Sequence, residues 1–132
     1  YRQPGWADRV REQLGDQQVT LVLDGVGGVI GRAAFELIAP GGQMVLFGDS
    51  SGETMPLGTD DLFRRGVAIT AAVGARMLAR PGGMQAMSQE AVAKLVKGEW
   101  RPVVHRFALA DAADAHRSLE SRATIGKVVL TP

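Results

Sequence analysis

Apolar residues fall along the chain in two rhythms, and the switches between them predict an α/β fold. Trp6, Val10 and Leu14 recur every four residues, the spacing of one helix face, so a helix is expected over about 6–14. Pro4 suits its first turn and Gly15 a left-handed stop. The next segment, Val19-Thr20-Leu21-Val22-Leu23, is rich in β-branched residues and almost wholly apolar. Such a run is expected as a strand buried on both faces of a parallel sheet. It breaks at Asp24-Gly25-Val26-Gly27-Gly28. Helical spacing returns from about Val29 to Ile38, with Ala34, Leu37 and Ile38 on the apolar side, and Pro40-Gly41-Gly42 is expected to end that helix and turn the chain.

Gln43 to Phe47 predicts a second buried strand, closed by Gly48-Asp49-Ser50-Ser51-Gly52. Thr59-Asp60-Asp61 carry oxygens that can cap a short helix and complement its dipole, and Gly66 ends it. Val67 to Val73 is expected as a third strand, closed by Gly74-Ala75-Arg76. The order strand–helix–strand–helix–strand predicts crossover connections and a parallel sheet. Beyond it, Pro81-Gly82-Gly83 separates two helical stretches, the longer over 84–97. A strand over 103–107, a helix over 111–121 and a last strand over 127–131 follow. No internal repeat or low-complexity segment interrupts this α/β pattern.

Composition narrows the picture by exclusion. At 132 residues, with 45 % hydrophobic and 22 % charged positions, the chain reads as globular with one core. A formal charge of +1 and no Lys/Arg cluster give no footprint for nucleic acid or an anionic membrane. No window approaches the roughly 18 apolar residues of a membrane span, and Tyr1-Arg2-Gln3-Pro4-Gly5 does not open a signal peptide. The absence of cysteine excludes disulfides and cysteine-ligated zinc in these residues, and a reducing cytoplasm is the default expectation. The chain opens on Tyr1 rather than Met, in what reads as the end of an extended segment, so it is expected to be excised from something longer.

In a parallel sheet the strand exits share one edge, and ligands of open α/β sheets bind outside it. Here the exits are Asp24 to Gly28, Phe47-Gly48-Asp49 and Val73-Gly74, each with glycine, which lets a flat ligand approach the backbone. Glycine also follows strands merely to turn the chain; three such exits on one edge favour a ligand crevice. No G-x-G-x-x-G is present, because Gly31 falls one residue late after Gly25 and Gly27, and there is no Walker-type loop. Asp24 has two readings, orienting a ribose or capping the following helix, with capping favoured. His105 and His116 are expected to pack, Ser50 and Ser51 to be loop residues, and Arg64, Arg65, Arg76 and Arg80 to be solvated. No residue reads as a general acid or base, and no metal-ligand set is apparent.

Three pieces, in this order, carry a resemblance: Val19 to Gly28, Leu37 to Gly48, and the tail from Phe107 through His116 and Leu119 to Gly126-Lys127-Val128-Val129-Leu130. The chain resembles the C-terminal part of a medium-chain dehydrogenase/reductase, the zinc-type alcohol dehydrogenase and quinone oxidoreductase-like group, with the quinone oxidoreductase-like branch nearest. The resemblance implies half of a Rossmann-type parallel sheet flanked by helices over residues 1–98. It implies that 99–132 form a strand-helix-strand belonging to a catalytic domain. Gly25, Val26 and Gly27 would then lie at the cofactor's ribose and nicotinamide, with Phe47, Gly48, Asp49, Val73 and Gly74 walling the nicotinamide side. Lys127 would lie near the pyrophosphate, its alternative being an exposed strand charge.

The expected activity is hydride transfer between NADP(H) or NAD(H) and a small carbonyl, alcohol, or activated alkene or quinone. NADPH and a zinc-free parent are preferred, although catalytic zinc stays undetermined. The isolated chain is expected to be inactive, to bind the dinucleotide poorly, and to form a homodimer through residues 67–73. Two alternatives stay open: a fragment of an S-adenosylmethionine-dependent methyltransferase, which shares the Pro-Gly-Gly turn before a strand, and a non-catalytic dimerisation module.

Overall fold

The computed structural model describes Tyr1 and residues 3–132, with Arg2 outside the described residues. The chain divides into two compact units, Tyr1–Met84 and Gln85–Pro132.

Unit 1 begins with α1, Trp6–Leu14, whose preceding residue Gly5 is left-handed at φ 68. Pro4 therefore precedes the helix instead of occupying its first turn, and its carbonyl accepts from Arg9 Nη1 at 2.8 Å. Gly15 closes α1 at φ 54. Then come β1 (Val19–Asp24), α2 (Gly28–Phe35), β2 (Ile38–Leu46), α3 (Thr59–Arg65), β3 (Ala68–Ala71) and a single turn, α4 (Ala75–Leu78). The three strands pair in the order β1-β2-β3, all parallel.

Pro40-Gly41-Gly42 does not end a helix. The helix stops at Phe35 and these residues lie inside β2. Val19 pairs with Ile38 and Leu21 with Gln43, so the extra residues of β2 are taken up in a bulge. Proline and two glycines suit such an irregularity as well as they suit a turn, so the local pattern does not distinguish the two. Phe47 and Val73 likewise fall just beyond β2 and β3.

Alternation puts Val22, Met44, Leu46 and Ile69 on one face of the sheet, where Phe35 from α2 and Leu62 from α3 join them around Ile38 and Val67. Phe35, Ile38 and Met44 are fully buried. The opposite face is bare at β1, where Leu21 is 52 % and Leu23 64 % exposed. The expectation of a strand buried on both faces thus fails: β1 has a partner strand on one side only, and its second apolar face has no cover in this unit.

Charged residues bind α2 to α3. Arg32 pairs with Asp61 (Nη1–Oδ2 2.7 Å) and with Glu36. Arg65 donates to the Glu36 carboxylate at 2.7 Å and to the carbonyls of Glu36 and Ile38. Both guanidinium groups sit over the Phe35 ring, 5.5 and 5.6 Å from its centroid. Arg65 is not solvated as its sequence context suggests: the passage from α2 into β2 brings the carbonyls of Glu36 and Ile38 to it. Arg64 is the exposed one, reaching Asp61 at 3.1 Å. The Asp61 carboxylate, hydrogen-bonded by Arg32 and by the Gly58 N–H at the start of α3, titrates well below the usual carboxylate range. The same Asp61 raises the Arg32 pKa.

Unit 2 opens within α5 (Gly83–Val96) and contains β4 (Val104–Ala108), a short 3-10 turn at Leu109–Asp111, α6 (Ala112–Glu120) and β5 (Lys127–Thr131). β4 and β5 pair in parallel, and α6 packs on both. Ala115 is the buried hydrophobic residue of this unit among the described residues. His105 Nε2 lies 3.1 Å from the Ile125 carbonyl and 3.3 Å from its N–H, a structural link between strand and loop. His116, expected to pack, is exposed, because one helical step of about 100° turns it off the face that buries Ala115.

Candidate functional site

The parallel registers bring the exits of β1, β2 and β3 to one edge: Asp24 is level with Leu46, and Leu46 with Ala71. Two exit loops are tied together by backbone hydrogen bonds. The Phe47 N–H donates to the Asp24 carbonyl at 2.8 Å, Ser50 N–H to Gly25 at 3.1 Å, Ser51 N–H to Val26 at 2.9 Å and Gly28 N–H to Glu53 at 3.0 Å. Gly27 sits at φ 73 and Gly28 at φ 55, values that a side chain would strain.

Asp24 is the buried charged residue among the described residues, 5 % exposed. Its carboxylate accepts from the Val26 N–H at 2.9 Å and the Gly27 N–H at 3.2 Å. Both amides precede α2, whose N-cap is Gly27 without a side-chain cap hydrogen bond, so Asp24 holds the exit loop and does not make the helix cap favoured from sequence. Gly25 leaves room for the Phe47 ring: a Cβ there would lie 2.7 Å from Phe47 Cε2. Ser51 Oγ accepts from the Glu53 N–H at 3.2 Å, a loop role as expected.

The nine candidate residues fall into four places. Gly25, Val26 and Phe47 line an open apolar hollow of about 420 Å³, shared with Trp6, Val22 and Ile30. Gly27, Gly48 and Asp49 border a second hollow of about 260 Å³ on the other side of the joined loops, beside Glu53 and Met55. Val73 and Gly74 follow β3 on the same edge, with Ala72 N–H donating to Leu46 at 2.8 Å. Lys127 begins β5 in unit 2, exposed, its N–H donating to the Val103 carbonyl at 2.9 Å. Asp24 holds the loop at this edge, and the Arg32–Glu36–Asp61–Arg65 group lies at the other end of the sheet, where Arg65 bonds the Ile38 carbonyl at the start of β2. The spacing of Arg32 and Glu36 by four residues was the available signal for the second.

Among the described residues no three of His, Cys, Asp and Glu gather where they could ligate a metal. With His105 engaged by backbone and His116 alone on its helix, these residues do not fit a zinc site. No described helix is long and apolar enough to cross a membrane.

A parallel α/β sheet with three glycine-bearing exits on one edge defines a nucleotide-binding class of fold, of the Rossmann type. Comparison with known proteins makes it specific. Residues 1–130 match the family model described as zinc-binding dehydrogenase, and the chain belongs to that family. The quinone oxidoreductase of Pseudomonas aeruginosa is 32 % identical over the whole chain, which spans 41 % of that protein. The quinone oxidoreductase of Salmonella typhimurium is likewise 32 % identical, with 42 % of it covered. Among solved structures, Escherichia coli quinone oxidoreductase complexed with NADPH superposes with a TM-score of 0.76 at 28 % identity, over all of this chain and 42 % of that one. A mycobacterial protein complexed with NADPH is 34 % identical with a TM-score of 0.74, over all of this chain and 41 % of that one. The chain thus spans about two-fifths of the relatives it matches.

Proposed function

We propose that the chain is the C-terminal part of an NADP(H)-dependent oxidoreductase of the quinone oxidoreductase type, supplying one half of its nucleotide-binding sheet. The observation that carries this reading is the shared exit edge of β1, β2 and β3 with its two loops tied together. The bound dinucleotide would supply the hydride, for a small quinone, activated alkene or carbonyl. The chain's own part is to hold and shield it. Val26 and Phe47 give an apolar wall to the nicotinamide, Gly25, Gly27 and Gly48 let the two loops pack closely enough to present their backbone to the cofactor, and Asp49, Val73 and Gly74 continue that wall. A dry, positioned ring is what hydride transfer requires of a protein. Lys127 is proposed to reach the pyrophosphate. Residues 1–98 are assigned to the nucleotide-binding domain and 99–132 to the catalytic domain, in a cytoplasmic protein without nucleic-acid or membrane partners.

Alone, the chain is proposed to be inactive and to bind NADPH weakly, since no glycine-rich phosphate loop lies within it. The test is a chimaera in which these 132 residues replace the matching part of the P. aeruginosa quinone oxidoreductase. NADPH binding and NADPH-dependent quinone reduction are expected; a folded chimaera that binds no NADPH would overturn the reading. β3 pairs with β2 on one side, and its other edge is proposed to join a second copy. Sedimentation equilibrium at high concentration is expected to show dimers, and a clean monomer would remove the dimer.

A further inference from the structure

A carboxylate buried to 95 % usually has a cation beside it or protons to share. Asp24, 5 % exposed, is instead met by the backbone. One oxygen, Oδ1, accepts from Val26 N–H at 2.9 Å and from Gly27 N–H at 3.2 Å, and Oδ2 also lies 3.2 Å from Gly27 N. Its own carbonyl accepts from Phe47 N–H, the first residue of the neighbouring loop. On the far side the α2 backbone gives way to it: a Cβ on Gly31 would lie 2.6 Å from Oδ2.

Each of these contacts bears on the same few peptide groups. The Val26 and Gly27 N–H groups are turned inward by Asp24, so the carbonyls of Gly25 and Val26 are left to accept from Ser50 and Ser51. With those two bonds made, Gly25 and Gly48 come face to face, a Cβ on Gly48 lying 3.2 Å from the Gly25 oxygen. We infer that Asp24 is a positioning residue: its buried carboxylate sets the orientation of the 25–28 backbone and, through it, locks the two exit loops into one rigid wall. Gly31 is the second half of the device, since only a residue without Cβ leaves Oδ2 its place. The cofactor consequence rests on the proposed function; the locking of the loops does not.

Amide hydrogen exchange on the chain itself tests the lock. Asp24→Ala is expected to lower protection at Val26, Gly27, Ser50 and Ser51 by about tenfold or more, while Met44 and Val45 in β2 keep theirs. Asp24→Asn keeps an acceptor oxygen of the same reach and is expected to restore protection at these amides. Gly31→Ala, which presses on Oδ2 and otherwise meets only the flexible Met55 side chain and no loop backbone, is expected to reproduce the loop-confined loss should Asp24→Ala fail to fold. Protection that falls equally in loop and sheet, or that does not change in the loop, would overturn the inference. In the chimaera, Asp24→Ala is expected to raise KM for NADPH more than it lowers kcat, with Asp24→Asn restoring it. A wild-type chimaera that binds no NADPH defeats the proposed function and leaves the exchange result to decide the lock.

Discussion

The molecule contains the same strand–helix–strand motif twice, and the two copies are stabilised very differently. In unit 1, β1 and β2 run parallel with α2 across them, and Phe35, Ile38 and Met44 are fully buried between helix and sheet. In unit 2, β4 and β5 run parallel with α6 across them, yet Ala115 is the buried apolar side chain there, and Leu119 and Ile125 stay 48 % and 78 % exposed. In both copies the two strands pair in parallel register. What separates them is a third strand, a second helix on the same face, and one large ring at the meeting point. Connection order alone does not make a core; it needs bulk placed where two covering elements converge.

Four measurements would break or sharpen this contrast. The largest effect is expected from Phe35→Ala, which empties the centre of unit 1 and frees two guanidinium groups from the ring. The expected loss is about 3–5 kcal/mol, read by denaturant unfolding with a unit 1 probe. A loss below about 1 kcal/mol would mean that unit 1 has no more core than unit 2.

Gly126→Ala attacks the other copy. At φ 94 the residue suits glycine, and a Cβ would be driven into the Val103 carbonyl that accepts the Lys127 N–H. A cost of roughly 1–3 kcal/mol is expected. It should show as lost amide protection along β4 and β5, with the sheet of unit 1 unchanged.

The third is a pH effect on unit 1. The folded Asp61 pKa is depressed, so its ion pairs contribute fully above its unfolded pKa of about 3.9 and are lost as pH falls through and below that range. The Tm of unit 1 is expected to hold near neutrality and decline on acidification, and Asp61→Asn should flatten that decline. An unaltered acid slope in the variant would show that Asp61 is not its source.

The smallest effect is expected from Leu119→Ala on α6, within about 0.5 kcal/mol by thermal unfolding, because this leucine is half exposed. A loss of 2 kcal/mol or more, typical of a buried leucine, would give unit 2 a core of its own and abolish the contrast.

Much of the fold is legible along the chain because its elements are set by local pattern. The helix at 6–14, the strand run at 19–23, the helix stop at Gly66 and the final strand at 127–131 all follow from spacing, branching and short-range hydrogen bonding. The family is legible as well, from the order of three segments. Errors arose where a local signal has two tertiary uses. Pro40-Gly41-Gly42 carries the same residues whether the chain turns or a long strand bulges. Leu21 and Leu23 have the same side chains whether covered or bare. Arg65 looks like any surface arginine until the passage from α2 into β2 offers it the carbonyls of Glu36 and Ile38. At the site, the exit glycines were visible, but the pairing of the two loops was not, since it joins residues more than twenty positions apart.

By itself, then, the sequence determined which segments are helices and strands, that the strands run parallel, and to which family the chain belongs. Those properties depend on side-chain periodicity and on the limited ways a chain can cross over. Only the tertiary structure decided which face of β1 is buried, that Phe35 is the keystone of unit 1, and that Asp24 points down into its loop rather than outward. Each of those outcomes depends on what lies across the sheet edge, and no short stretch of chain contains that neighbour.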